Sequence, residues 1–144
     1  MEKRILVVDD DDSIRTLLYT VLRKRRFLVD TARNGEEALD RLARCRYSIM
    51  LLDLMMPRMS GYEVLSSLEA SNSSLHPLVI VLTAGNEPRE LNPRIVAGTL
   101  RKPFDIEILI DTVRACLGML PDVEQSSDCP PAQSSKPTRT DEPD

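Results

Sequence analysis

Four short apolar runs each stop at a side chain that carries charge or a hydroxyl, and this pattern constrains the chain more than any other. ILVV runs into Asp9-Asp10, SIMLL into Asp53, VIVL into Thr83 and GTLR into Lys102. Runs this short, alternating with segments of helical periodicity, read as strands buried on both faces of a parallel sheet. In an open α/β sheet the ligand site lies outside the carboxyl ends of the strands. Three carboxylates, a hydroxyl and an ammonium group would therefore meet in one small pocket. Carboxylates that close repel and raise each other's pKa unless a cation joins them. A hard divalent ion with oxygen ligands, Mg²⁺, together with the lysine meets that requirement. The chemistry expected of such a pocket is phosphoryl transfer.

The segments between the runs support this layout. After a first strand at residues 4–9, Ile14, Leu17, Leu18, Val21 and Leu22 fall on one helical face. Asp11, Asp12 or Ser13 can cap that helix, and the basic run 23–26 closes it where cations suit the macrodipole. A second strand at 27–31 leads through Asn34-Gly35 to a helix with Ala38, Leu39, Leu42 and Ala43. The third strand ends at Asp53, and residues 57–61 form a loop before a helix with Val64, Leu65 and Leu68. A fourth strand at 78–82 and a short fifth near 99–101 precede a last helix with Ile106, Leu109, Ile110, Val113 and Leu117. Repeated β/α units of this kind predict an α/β fold, a doubly wound parallel sheet of five strands with helices on both faces. Pro88 and Pro93 interrupt the stretch between Thr83 and Lys102, so the fourth helix should be short or irregular. From Pro121 the chain turns polar and Pro/Ser/Asp-rich, which predicts one folded domain at 1–120 and a disordered tail at 121–144.

Composition narrows the partners. With 42% hydrophobic residues but only three Tyr, two Phe and no Trp, the core must be aliphatic. A formal net charge of −4 speaks against nucleic acid as a direct partner, and the basic run 23–26 reads as a solvated helix end. Cys45, Cys116 and Cys129 show no metal-site spacing and read as incidental thiols of a reducing compartment. No apolar run approaches membrane-spanning length, and the N-terminus does not resemble a signal peptide. A soluble cytoplasmic protein is expected.

The fragments ILVVDDDDSIR, LLDLMMPRMSGYEVL, VIVLTAG and LRKPF, in this order and at this spacing, resemble the receiver domain of two-component response regulators. The resemblance runs over roughly residues 3–120. It implies the flavodoxin-like, CheY-like strand order 2-1-3-4-5 and a phosphorelay role in signal transduction. By resemblance Asp53 is the phosphoacceptor, while Asp9, Asp10, Asp53 and the backbone carbonyl of Met55 hold Mg²⁺. Thr83 and Lys102 would contact the phosphoryl group, and the Lys102–Pro103 bond would be cis. The implied partners are a histidine kinase or phosphotransfer protein and a downstream protein of unknown identity, with the chain a monomer or a phosphorylation-dependent dimer. It would be a signalling phosphoacceptor, not an enzyme.

Two departures bear on output. The position three before Lys102, commonly aromatic in the family, is Thr99, and the segment before it is short and carries two prolines. Residues 85–97 are therefore expected to be the least regular part of the domain and to carry the signal. Rival functions are weaker on the residues. A phosphatase of the haloacid-dehalogenase type needs an acid two positions after its nucleophile, where this chain has Met55. A flavodoxin needs a phosphate-binding loop after its first strand, where this chain has an acidic DDDS that would repel a phosphate. A receiver belonging to a transcription factor is a variant of the first reading.

Overall fold

The computed structural model describes residues 3–71, 76–85 and 91–118. The predicted tail at 121–144 lies outside them. Five strands, β1 (Arg4–Val8), β2 (Leu28–Ala32), β3 (Ile49–Asp53), β4 (Leu78–Thr83) and β5 (Val96–Arg101), form one sheet in the order β2-β1-β3-β4-β5. Every neighbouring pair is parallel. Four helices are described: α1 (Asp12–Lys24), α2 (Gly35–Arg44), α3 (Gly61–Ser71) and α4 (Ile106–Gly118).

β1, β3 and β4 are almost wholly apolar and buried because both faces of the sheet are covered there. Alternate residues point to opposite sides. Leu6, Val8, Met50, Leu52, Val79 and Val81 pack with Ala38 of α2 and Val64, Leu65 and Leu68 of α3. Their neighbours Ile5, Val7, Ile49, Leu51, Ile80 and Leu82 pack with Leu18 and Leu22 of α1 and Leu109, Ile110 and Val113 of α4. Fully burying one such aliphatic side chain contributes about 1.5–3 kcal/mol, so the two cores are the main attractive force in the fold. One polar group is built into this interior. Asp30 accepts hydrogen bonds from Arg4 Nη1 at 3.1 Å and from the Tyr47 hydroxyl at 2.6 Å, with all three residues buried. Burial and the Asp30 carboxylate push the Tyr47 phenol far up.

Local sequence sets where each helix begins. The Asp11 side chain accepts from the backbone N–H groups of Ser13 and Ile14 and caps α1. Asn34 caps α2 by accepting from Glu37 N at 2.8 Å. Ser60 and Glu63 reciprocate across the first turn of α3, a capping box, with Glu63 Oε1 accepting from Ser60 N at 2.8 Å. Asp105 does the same service for α4, accepting from Glu107 N at 2.7 Å.

The structure corrects three expectations. β5 starts at Val96, earlier than the 99–101 read from the sequence, because Val96 already pairs with Val79 before a register shift. Residues 91–97 are also better anchored than expected: Ile95 is buried and Leu91 packs on the same core as α3. Residues 86–90 lie outside the described residues, and no helix is described between β4 and β5. Cys45, expected as an incidental thiol, is disulfide-bonded with its partner outside the described residues, whereas Cys116 is a buried free thiol.

Candidate functional site

The carboxyl ends of β1, β3, β4 and β5 deliver the residues singled out from the sequence to one place. Asp53 is the last residue of β3 and Asp9 follows β1 directly; they are 4% and 0% exposed, while Asp10 is exposed. The three offer carboxylate oxygens that all lie within 4.8 Å of one another. Lys102, just past β5, reaches back with Nζ 3.1 Å from Asp9 Oδ2 and 3.6 Å from Asp53 Oδ2. Its own backbone N–H donates to the Thr83 carbonyl at 2.7 Å, which ties the lysine to the end of β4. The Lys102–Pro103 bond is cis. Thr83 is buried, and its Oγ1 accepts from Gly85 N at 3.0 Å.

Backbone donors fix the acids. Asp53 Oδ1 accepts from Met55 N at 3.1 Å, and Asp9 Oδ1 accepts from Asp11 N at 2.9 Å. The Met55 side chain stands out in solvent, 68% exposed, beside the mouth of the site. Burial raises the Asp53 pKa to about 7, with the Asp9 charge adding to the effect and Lys102 and the Met55 N–H working against it. The cluster thus carries more negative charge than one lysine offsets. Three carboxylates, two of them buried, with oxygens this close suit a small hard cation. Asp9, Asp10 and Asp53 are the side chains that could hold one.

Three further residues shape the site without announcing it in the sequence. Arg15 Nη1 donates to the Asp9 carbonyl at 2.8 Å, while its Nη2 pairs with Asp12, so the first helix braces the acidic turn. The i, i+3 spacing of Asp12 and Arg15 is a visible signal for that pair, but not for the Asp9 contact. Gly61 opens α3 directly beneath the end of β3: a Cβ there would lie 2.5 Å from the Asp53 carbonyl oxygen. Arg101 lies on Gly85, next to Thr83.

The fold and this arrangement define a doubly wound α/β domain with an acidic, lysine-bearing pocket at its strand ends. The sequence model of the response regulator receiver domain matches residues 5–114, and the chain belongs to that family. It is 40% identical over 120 residues to the response regulator MprA of Mycobacterium bovis, a match that covers 81% of this chain and 51% of MprA. The chain therefore spans about half the length of the curated relatives it matches. A CheY-like receiver domain protein from Methanospirillum hungatei superposes with a TM-score of 0.73 at 29% identity, over 81% of this chain and 94% of that one. The response regulator TrrA of Thermotoga maritima, solved with Mg²⁺ and BeF, superposes with a TM-score of 0.70 at 36% identity, over 79% of this chain and 98% of TrrA. The same TrrA, in complex with the histidine kinase ThkA, superposes with a TM-score of 0.68 at 35% identity, over 80% of this chain and 98% of TrrA. Among the described residues, no helix is long and apolar enough to cross a membrane.

Proposed function

We propose that this receiver domain accepts a phosphoryl group on Asp53 from the phosphohistidine of a histidine kinase or phosphotransfer protein and signals through protein contacts. The observation that carries the reading is the convergence of Asp9, Asp10 and Asp53 within 4.8 Å, with Lys102 bridging Asp9 and Asp53. Asp53 is the nucleophile. Its Oδ1 is held by the Met55 N–H, which leaves Oδ2, on the Lys102 side, as the oxygen free to attack. An O–P bond forms at Asp53 as the N–P bond of the donor breaks and the imidazole leaves. Catalysis of such a transfer is mostly positioning and stabilisation of charge on the equatorial oxygens. Lys102 supplies a cation for those oxygens, and Thr83 Oγ1 turns from Gly85 N toward one of them. Asp9, Asp10, Asp53 and the Met55 carbonyl would hold Mg²⁺, which when bound supplies charge neutralisation at the phosphoryl oxygens.

The unit acting this way is residues 1–120. It is a phosphoacceptor with no separate substrate, since the position that would need an acid for a phosphatase carries Met55. A cytoplasmic location fits the reading, because phosphoryl donors made from ATP are found there. Incubation with acetyl phosphate and Mg²⁺, followed by intact-protein mass measurement, tests it. The wild-type chain should gain one phosphoryl group, and Asp53→Asn or excess EDTA should abolish the gain. Undiminished incorporation into Asp53→Asn would remove Asp53 from its role.

A further inference from the structure

Arg101 is the last residue of β5 and lies directly across from Thr83 on β4. Leu100 beside it faces the core against α4, so strand alternation turns Arg101 to the opposite side. There its guanidinium lies on Gly85. A Cβ built on that glycine would come within 2.2 Å of Arg101 Nε and 2.6 Å of Nη2, and Gly85 itself has a φ of +102°. Gly85 is also the residue whose N–H holds Thr83 Oγ1, at 3.0 Å. Arg101 thus rests on the turn that restrains the hydroxyl beside the phosphoacceptor. Among the described residues its guanidinium has no hydrogen bond or ion pair. An arginine without a carboxylate partner, this close to an acidic pocket, has a charge to place.

The charge balance of the loaded site says where. A phosphoryl group on Asp53 brings up to about two negative charges. With Asp9 and Asp10 ionised, the site then exceeds the combined charge of a divalent ion and Lys102 by about one. We propose that Arg101 is a phosphoryl-responsive positioning residue: as Thr83 Oγ1 leaves the Gly85 N–H for the phosphoryl group, the guanidinium follows the turn and supplies the missing positive charge. This rests on the reading of Asp53 as phosphoacceptor. A planar guanidinium offers paired donors to an oxyanion, which an ammonium group does not. The open side of Gly85 gives that fork its seat.

The test titrates beryllofluoride, a phosphoryl mimic, into Mg²⁺-loaded wild-type protein, Arg101→Ala and Arg101→Lys, by calorimetry at low and at moderate ionic strength. Arg101→Ala should bind the mimic about tenfold more weakly, with a flatter salt dependence, the scale of one charge-assisted hydrogen bond at a partly exposed site. Arg101→Lys should recover part of that loss. Binding of Mg²⁺ alone should not weaken in either variant, since neither removes a carboxylate. Equal affinity of wild type and Arg101→Ala for the mimic would overturn the proposal. So would a parallel loss of Mg²⁺ binding, which would mark a disturbed fold. A wild-type protein that takes up Mg²⁺ but not beryllofluoride would strike the phosphoacceptor reading itself, and this proposal with it.

Discussion

Asp53 sits where it is costly to ionise. Burial and the Asp9 charge raise its pKa from 3.8 to about 7, so the folded chain without metal binds a proton there that the unfolded chain releases near pH 4. A carboxyl raised in this direction stabilises the fold fully at low pH and loses that contribution as pH climbs toward 7. The metal-free protein should therefore lose stability over this window, by up to about 1.4 kcal/mol per pH unit. Asp53→Asn, which cannot ionise, should be the more stable protein at pH 7 and draw level with wild type near pH 4. Chemical denaturation of both proteins in EDTA across this range checks the prediction, and a gap that widens toward low pH would contradict it. At this scale most of the site is legible in the sequence, because Asp9, Asp10, Asp53, Thr83 and Lys102 each stand where an apolar run stops. Arg15 and Arg101 are not legible. Their contacts run to a backbone carbonyl and to a glycine turn, partners that carry no pattern in the text.

The elements carry those residues to one point through their caps and close approaches. Asp11 starts α1 immediately after the acidic pair, so the turn that presents Asp9 and Asp10 is also a helix cap. Gly61 starts α3 against the backbone of Asp53, with no room for a Cβ at 2.5 Å from its carbonyl oxygen and 2.8 Å from Leu54 Cα. Gly61→Ala should therefore push α3 away from β3. We expect a loss of about 1–3 kcal/mol, the usual scale of overpacking, together with slower phosphorylation of Asp53. Urea denaturation and acetyl phosphate labelling read the two effects, and an unchanged midpoint would show that the loop yields freely. Helix starts are readable from Asp, Asn and Ser at the caps, because those side chains compete locally for backbone N–H groups. The start of β5 is not: VAGTLR mixes Gly and polar residues, and its pairing with β4 includes a register shift that only the tertiary structure imposes. The two prolines read from the sequence, of which Pro88 lies outside the described residues, hide the anchoring by Leu91 and Ile95, which pack on the core shared by α3 and the sheet.

In the whole molecule, a central sheet separates two aliphatic cores, and the strand order leaves β2 and β5 at the edges. The order 2-1-3-4-5 was expected from the family resemblance, whereas the continuous apolar runs by themselves indicate only that both faces are covered. Each of β1 and β3 has a strand on both sides and core residues above and below, so local opening there needs most of the domain to unfold. Amide hydrogen exchange should be slowest in β1 and β3 and faster in β2 and β5, and uniform protection across the sheet would contradict the layered account. The same order puts Asp53 at the end of an inner strand, with Lys102 reaching it from beyond an outer one, so the site exists only when the sheet is assembled. That Asp53, and no other carboxylate of this cluster, becomes the acyl phosphate is the central claim. The most direct test reacts the Mg²⁺-loaded protein with acetyl phosphate and then reduces it with borohydride, which converts an aspartyl phosphate to homoserine, before peptide mapping. Homoserine at position 53 alone is the predicted result; homoserine at position 9 or 10, or none at 53, would contradict the account.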